Sequence, residues 1–139
     1  MTGEQPTLSI CTTCRVGREA RLETRDGARL AAHVVDEHAR HPNIQLKLRG
    51  VRCMSQCKRP CIVSLGAPEK FTYVFGDLDP LDQTHITALF ELAEKYTKSA
   101  NGLLDRRERP DALQENILGR FPPLESQSHL VIDLWAKSS

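Results

Sequence analysis

The stretch V-R-C-M-S-Q-C-K-R-P-C-I-V-S-L, residues 51–65, decides how this chain is organised, because it joins two predicted strands through a cysteine-rich loop. Its cysteines are Cys53, Cys57 and Cys61. The remaining two, Cys11 and Cys14, stand in I-C-T-T-C-R near the N-terminus. The full pattern is C-x2-C followed by C-x3-C-x3-C. Two groups of closely spaced cysteines on separate loops predict a metal site.

Composition limits the classes of protein that fit this chain. Its 139 residues are enough for one domain with a hydrophobic core, and a formal charge of +1 argues against a nucleic-acid binder driven by overall charge. No apolar run approaches the roughly 20 residues of a membrane span. Residues 1–7 lack the features of a secretory signal, so we expect a cytoplasmic protein. Thiols stay reduced there, which favours metal or redox chemistry over structural disulfides.

Hydrophobic patterning predicts an α/β fold with the order β-α-β-β-β-α, which is a thioredoxin-like arrangement. The predicted strands and helices cover residues 8–11, 26–40, 44–51, 61–65, 71–75 and 80–100. We expect a flexible tail at 1–7, the thioredoxin-like domain at 8–102 and a C-terminal extension at 103–139. The Phe71, Tyr73 and Phe75 side chains alternate along a strand, as core residues do.

Helix signals set the predicted helix boundaries. Asp79 is the expected N-cap of the second helix, with Pro80 at its first position. In the first helix, an apolar stripe is expected to face the core: Leu30, Ala31, Val34 and Val35.

In the extension, Pro110 is expected to start a short helix that ends near Gly119. The apolar patch Leu130–Trp135 is expected to dock on the core or on a second subunit.

The cysteine spacing is typical of a [2Fe–2S] cluster, which needs two thiolates on each iron. Cys11 with Cys14 would hold one iron, and Cys53 with Cys57 the other, if their two strands are neighbours in the sheet. A four-thiolate cluster is a net anion, so nearby cations would stabilise it and raise its potential. Five cations flank the cysteines in sequence: Arg15, Arg18, Arg52, Lys58 and Arg59.

Several segments together resemble a bacterial family of unknown function that is described as predicted metal-binding and is grouped with the thioredoxin-like [2Fe–2S] ferredoxins. The segments are C-T-T-C-R (11–15), C-M-S-Q-C-K-R-P-C-I-V (53–63), F-T-Y-V-F-G (71–76), R-R-E-R-P-D-A-L (106–113) and G-R-F-P-P (119–123). The resemblance covers roughly residues 8–124. Its C-x3-C is similar to the second ligand pair of those ferredoxins and of the small subunit of respiratory complex I.

This resemblance implies that Cys53 and Cys57 are ligands, that the protein transfers single electrons, and that it forms a homodimer. The first pair of those ferredoxins is spaced more widely than Cys11 and Cys14. Cys61 has no counterpart: it replaces Cys14 as a ligand, serves in cluster transfer, or is buried at the start of a strand. The basic residues predict a redox partner with an acidic surface. The formal charge of +1 and the lack of a long apolar run predict that neither nucleic acid nor a membrane is a partner.

Other functions fit the same cysteines. A structural zinc site would use the same ligands, although zinc sites more often have C-x2-C in both halves. A metal or cluster carrier would use an exposed fifth thiol for exchange. A thiol–disulfide oxidoreductase would use Cys11 and Cys14, but the helix begins more than a turn later than such a motif needs. We find no acid–base set and predict an electron carrier, not an enzyme. His33, His38 and His41 are interpreted as exposed helix residues.

Overall fold

The computed structural model describes residues 5–14, 25–56 and 58–135. Within these residues, seven strands and helices follow one another: β1 (Thr7–Cys11), α1 (Asp26–His38), β2 (Lys47–Val51), β3 (Val63–Gly66), β4 (Thr72–Phe75), α2 (Gln83–Lys98) and β5 (Ile117–Phe121). The predicted β-α-β-β-β-α order is therefore confirmed, and β5 follows it.

The strands form one sheet in the order β2-β1-β3-β4-β5. β1 and β2 are parallel neighbours, with Cys11 opposite Val51. The pairs β1–β3, β3–β4 and β4–β5 are antiparallel. Because parallel neighbours end at the same edge of a sheet, the loops that follow Cys11 and Val51 leave side by side. This meets the condition on which the predicted cluster depends.

The core lies between the sheet and the two helices, which pack against each other. Tyr73 and Phe75 are fully buried, and Phe71 nearly so, as their alternation predicted. Leu30 and Val34 of α1 are also fully buried. Val35, expected in the same stripe, is exposed instead. The buried face of α1 contains Leu30, Val34 and Glu37, and Val35 lies outside it.

The second helix starts later than predicted. Asp82, not Asp79, is the N-cap of α2, and its Oδ1 accepts a hydrogen bond from the Thr84 N–H at 2.9 Å. Asp79 instead accepts from the Leu81 N–H at 2.9 Å, which forms a turn before the helix. In the part of the chain that the structure describes, no helix combines the length and the apolarity needed to cross a bilayer.

Buried polar contacts hold α1 to α2. Glu37 accepts hydrogen bonds from Arg40 at 2.9 Å and from Gln83 of α2 at 3.0 Å, and pairs with His41 at 2.7 Å. The hydrogen bond with His41 is the largest contribution that lowers the pKa of the Glu37 carboxyl. The His38 and His41 rings stack on Phe90 of α2. These histidines are therefore half-buried packing residues, in contrast to the predicted exposed ones.

The predicted helix between Pro110 and Gly119 is wrong. Two short 3-10 turns occur at Arg106–Glu108 and Asp111–Leu113, and the chain then enters β5. The Asn116 side chain donates to the Gly76 carbonyl at 3.0 Å and so places the start of β5 beside β4. Pairing with β4 stabilises this segment as a strand, whereas an isolated helix of its length is marginal in water. Part of the predicted extension thus belongs to the sheet.

Candidate metal centre

The two cysteine loops are tied together where β1 and β2 end. Cys11 is the last residue of β1, and Cys53 lies two residues beyond the end of β2. The Thr12 N–H donates to the Val51 carbonyl at 2.8 Å, and the Thr13 hydroxyl donates to the Arg52 carbonyl. These hydrogen bonds extend the contact between the two chain segments beyond the ends of β1 and β2. The loops that carry Cys14 and Cys53 therefore start side by side.

A pocket of about 240 Å³ lies between these loops. The described residues that line it are Cys11, Thr13, Cys14, Arg25, Cys53, Ser55 and Gln56. Cys11 and Cys14 are buried, whereas Cys53 is exposed. Three of the four predicted ligands therefore share one pocket, and the fourth, Cys57, lies outside the described residues, as do Arg15 and Arg18.

The N-terminus of α1 packs directly against the first cysteine loop. The Gly27 N–H donates to the Cys14 carbonyl at 3.0 Å. A β-carbon at Gly27 would lie 3.0 Å from the Cys14 nitrogen and closer still to the Cys11 carbonyl oxygen, so this approach requires glycine. The sequence separation between Cys14 and α1 had argued against helix contact with the loop. That argument is wrong, because the chain returns α1 to the loop in space.

Hydrogen bonds around Cys11 favour its thiolate. Burial raises the pKa of the Cys11 thiol, but a hydrogen bond with the Cys14 side chain and bonds from the backbone of Thr13 and Met54 lower it. The hydrogen bonds together outweigh the effect of burial, so the pKa of the Cys11 thiol lies below that of an ordinary thiol. A thiolate is the form that binds a metal or attacks a disulfide. The pocket is therefore suited to either chemistry at Cys11.

Cys61 occupies a different environment from the other described cysteines. It is fully buried and does not line the pocket. Burial raises the pKa of its thiol to about 12, and the nearby Cys14, Asp26, Cys11 and Asp79 add to this effect. The thiol of Cys61 is thus held neutral in the core. It is not the exposed fifth thiol on which the carrier interpretation relied.

Among the described residues, the structure adds one cation at the pocket to those that the sequence suggested. Arg52 and Lys58 are exposed, but Arg59 is paired with Asp77, with a distance of 2.6 Å between Arg59 Nε and Asp77 Oδ2. This hydrogen bond raises the pKa of the Arg59 guanidinium further. Arg25, which the sequence did not single out, lines the pocket, and its Nη1 donates to the Thr13 carbonyl at 3.0 Å.

Among the residues that the structure describes, no three His, Cys, Asp or Glu side chains are grouped around a position for a single metal ion. The pocket instead presents a hydrogen-bonded pair, Cys11 and Cys14, with Cys53 on the facing loop. Such an arrangement supplies thiols from two sides.

Comparison with solved structures identifies the fold. Two structures of a thioredoxin-like [2Fe–2S] ferredoxin from Aquifex aeolicus superimpose on this chain, one of them the wild-type protein. Their TM-scores are 0.52 and 0.50, at 16% and 15% sequence identity. The matches cover 88% and 84% of this chain and 98% of each ferredoxin chain. The predicted thioredoxin-like fold is confirmed, and the low identity limits the likeness to the fold.

Comparison with sequences agrees with the predicted family. Among curated proteins no match to the chain was found. A family model described as "Protein of unknown function (DUF1636)" matches residues 8–123, which include all five cysteines. The match begins at the second residue of β1 and extends past the end of β5. Since it covers most of the chain, this protein belongs to the DUF1636 family, and its fold is that of a thioredoxin-like ferredoxin.

Proposed function

We propose that this protein binds one [2Fe–2S] cluster per chain and transfers single electrons to or from a partner protein. Cys11 and Cys14 would hold one iron, and Cys53 and Cys57 the other. The observation that carries the proposal is the shared pocket, in which Cys53 from the loop after β2 faces the Cys11–Cys14 pair after β1. The fold resemblance to [2Fe–2S] ferredoxins supports it.

The residues present fit such a cluster in their chemistry. The donor set consists of thiols, which are the usual ligands of [2Fe–2S] clusters, and each loop supplies a closely spaced pair. Backbone groups of Thr13 and Met54 hydrogen-bond to Cys11, as donors around ligating sulfurs do. Arg25 places a cation beside the pocket. When bound, the cluster would supply a one-electron redox couple.

The structure also bears on whether Cys14 or Cys61 would be the second ligand, with Cys11, of the same iron. Cys14 lines the pocket and hydrogen-bonds to Cys11. Cys61 is fully buried behind it, with a neutral thiol. We therefore assign Cys14 as the ligand and Cys61 as a core residue. An electron carrier, unlike an enzyme, needs no acid–base pair in this pocket.

The test is a visible absorption spectrum of the chain purified without oxygen, together with iron, sulfide and zinc analysis. We expect a red-brown protein with about two irons and two sulfides per chain. The Cys53→Ser variant is expected to lose most of this iron. Its matched control, Cys61→Ala, is expected to keep the iron and to lose only about 1 kcal/mol of stability, since it removes one buried sulfur.

Other results would contradict the proposal. A colourless protein with one zinc per chain would indicate a structural metal site or a metal carrier. Iron loss in Cys61→Ala but not in Cys14→Ser would overturn the assignment of Cys14. Equal iron content in the native chain and in Cys53→Ser would show that Cys53 is not a ligand.

One observation favours a second function, thiol–disulfide exchange. Cys11 has a lowered pKa, its side chain is hydrogen-bonded to that of Cys14, and the N-terminus of α1 packs on their loop through Gly27. This combination is typical of a reactive C-x2-C pair. A metal-free protein with a reducible disulfide between Cys11 and Cys14, identified by mass spectrometry, would replace the cluster proposal with this one.

A further inference from the structure

Three arginines come together where the segment after α2 meets the outer strand β5. We call them the arginine triad and define it by Arg106, Arg109 and Arg120. The first two belong to R-R-E-R-P-D-A-L and the third to G-R-F-P-P, two segments to which the cysteine pocket gives no role. None of the three lines that pocket, so a function of the triad is separate from the proposed metal centre.

Tyr73 of β4 fixes the position of the first segment against the sheet. Its buried hydroxyl accepts a hydrogen bond from the Leu104 N–H at 2.8 Å, just before the first arginine of the triad. Arg120 is the residue opposite Tyr73 in the pairing of β4 with β5. Residues directly opposite one another share a face of the sheet. The Arg120 side chain therefore starts from the same face as Tyr73, on which Leu104 is bound.

Arg106 and Arg109 lie on one side of a single turn. The Arg109 N–H donates to the Arg106 carbonyl at 3.2 Å and closes a 3-10 turn, in which side chains three residues apart are eclipsed. Burial lowers the pKa of the Arg109 guanidinium, Tyr73 raises it, and the charges of Arg106 and Arg120 lower it further. Arg109 is therefore close enough to both other arginines to be repelled by them.

The Arg109 side chain is buried with a donor left over. Only 8% of the residue is exposed, and no described atom accepts a hydrogen bond from its Nε. Its Nη2 donates to the Gln114 carbonyl at 3.3 Å, and the Gln114 side chain donates back to the Arg109 carbonyl at 3.2 Å. A buried charged donor without an acceptor is energetically costly. An anion that reaches this guanidinium would remove that cost.

Carboxylates in the same stretch are engaged elsewhere or only weakly paired. They are Asp105, Glu108, Asp111 and Glu115. Glu108 accepts a hydrogen bond from the Asp105 N–H at 2.8 Å, and Asp111 accepts one from the Gln114 side chain at 3.4 Å. Among the described residues, Glu115 alone forms an ion pair with the triad, 3.5 Å from Arg106, and its side chain is 85% exposed. Exposed pairs of this kind contribute little.

We propose that the arginine triad binds a phosphate group, either as inorganic phosphate or as the phosphate of a small phosphorylated molecule. Guanidinium groups bind phosphate oxygens through pairs of parallel N–H···O hydrogen bonds. A phosphate group carries about two negative charges at neutral pH. The three positive charges of the triad exceed the single charge of Glu115, its paired carboxylate, by two. A planar carboxylate with one charge would match one guanidinium and leave the others unbalanced.

The three arginines would have different roles in this site. Arg109 is the fixed anchor, since burial and its contacts with Gln114 hold the guanidinium in place. Arg106 and Arg120 are exposed, and their long side chains can move to admit the anion and then close on it. Because the native chain alone assembles the site, bound phosphate is expected to stabilise the fold.

The experiment is a calorimetric titration of inorganic phosphate into the full chain, at low ionic strength and about pH 8, where phosphate is a dianion. We expect one site per chain with a Kd of about 1 mM or tighter, and an unfolding temperature that rises with phosphate concentration. Arg120→Gln is expected to raise the Kd about 10-fold or more. It should leave the unfolding temperature without phosphate unchanged, because Arg120 is exposed and forms no ion pair among the described residues.

Two further variants test the geometry. Lys47→Gln is the matched control, since it removes an exposed cation from the opposite outer strand, β2, and its Kd is expected to stay within about twofold of the native value. Arg109→Lys keeps the charge but loses the planar fork, and is expected to raise the Kd about 10-fold or more. If Arg109→Lys does not fold, Arg120→Gln still decides the outcome.

The proposal is overturned if phosphate does not bind saturably to the native chain, or if Arg120→Gln binds it as the native chain does. It is also overturned if Lys47→Gln weakens binding as much as Arg120→Gln. Acetate at equal ionic strength is expected to bind about 10-fold more weakly or less, and equal binding would contradict a phosphate site. Glycerol phosphate distinguishes the two sources: tighter binding than inorganic phosphate assigns a phosphorylated molecule, and equal binding assigns phosphate itself.

Discussion

The two ends of the sheet are built in opposite ways. At the cysteine end, β1 and β2 are parallel, backbone hydrogen bonds extend beyond the strands, and α1 closes the loop through Gly27. At the other end, the chain leaves β5 and leads into a segment whose large apolar side chains are exposed. The comparison shows that the chain completes the cysteine end with its own contacts, whereas the apolar end lacks a covering surface among the described residues.

Two glycines illustrate the difference: Gly27 at the cysteine end, and Gly119 in the middle of β5, beside Phe121 of the apolar end. An added β-carbon at Gly27 would meet backbone atoms of Cys11 and Cys14, which cannot move without displacing the loop. At Gly119 in β5, the obstacle is the ring of Phe121, 2.9 Å away at its nearest atom, and this ring is half exposed. An added side-chain atom at Gly27 would therefore have to displace backbone, whereas one at Gly119 would have to displace only the ring of Phe121.

The largest effect is expected from Gly27→Ala. We expect it to lower the free energy of unfolding by about 3 kcal/mol or more and to abolish iron binding, because overpacking against backbone displaces the Cys11–Cys14 loop. Gly119→Ala is the matched control, with an expected change of less than about 1 kcal/mol, since the Phe121 ring can rotate away. Urea unfolding and iron analysis measure both. Similar losses in the two variants would contradict the contrast between the ends.

An intermediate effect is expected from Arg25→Gln, which removes a cation from the pocket and keeps a hydrogen-bond donor. We expect the cluster potential to fall by on the order of 50 mV, close to the 59 mV of a tenfold change for a one-electron couple. The physical reason is weaker stabilisation of the reduced, more negative cluster. Potentiometric titration followed by absorption is the measurement.

The control for Arg25 is Arg29→Gln on the same helix. Arg29 is one turn further along α1, does not line the pocket, and lies 4.0 Å from Asp26. Its substitution is expected to leave the potential within about 10 mV, because Arg29 does not border the cysteines and Asp26 partly balances its charge. If the two variants shift the potential equally, Arg25 has no special position.

The smallest effect concerns docking at the cysteine end. We propose that exposed cations there, Arg52 and Lys58, favour a redox partner with an acidic surface. Ferricyanide, an anionic oxidant, serves as the probe. Lys58→Ser is expected to slow oxidation of the reduced protein about twofold at low ionic strength and not at high ionic strength. Lys98→Ser at the end of α2 is the control and should change nothing; equal slowing by both variants contradicts local steering.

Much of the fold could be predicted from local sequence patterns. The alternation in β1 and β4 and the spacing of Leu30 and Val34 in α1 follow from repeats of two residues and of three to four residues. The start of α2 could not be predicted so well, because Asp79 and Asp82 are both good capping residues and a turn uses the first. β5 escaped prediction because a short edge strand depends on its pairing with β4.

The residues of the candidate site were likewise predictable only where they depend on local sequence. The spacing of Cys11, Cys14 and Cys53 predicted a thiol site on two loops, since strand ends and close cysteine pairs are local features. Arg25 could not be found, because its approach to Thr13 depends on how α1 returns to the loop. The pairing of Arg59 with Asp77 likewise joins residues from separate segments.

The sequence by itself determined the type of donor atoms, the order of most strands and helices, and the existence of an apolar C-terminal stretch. Tertiary structure alone decided that Cys61 is buried while Cys53 is exposed, although both follow β2 within one loop. It also decided that Leu134 and Trp135 face water and not the core. The physical reason is that donor chemistry and periodicity belong to neighbouring residues, whereas burial depends on what distant parts of the chain cover.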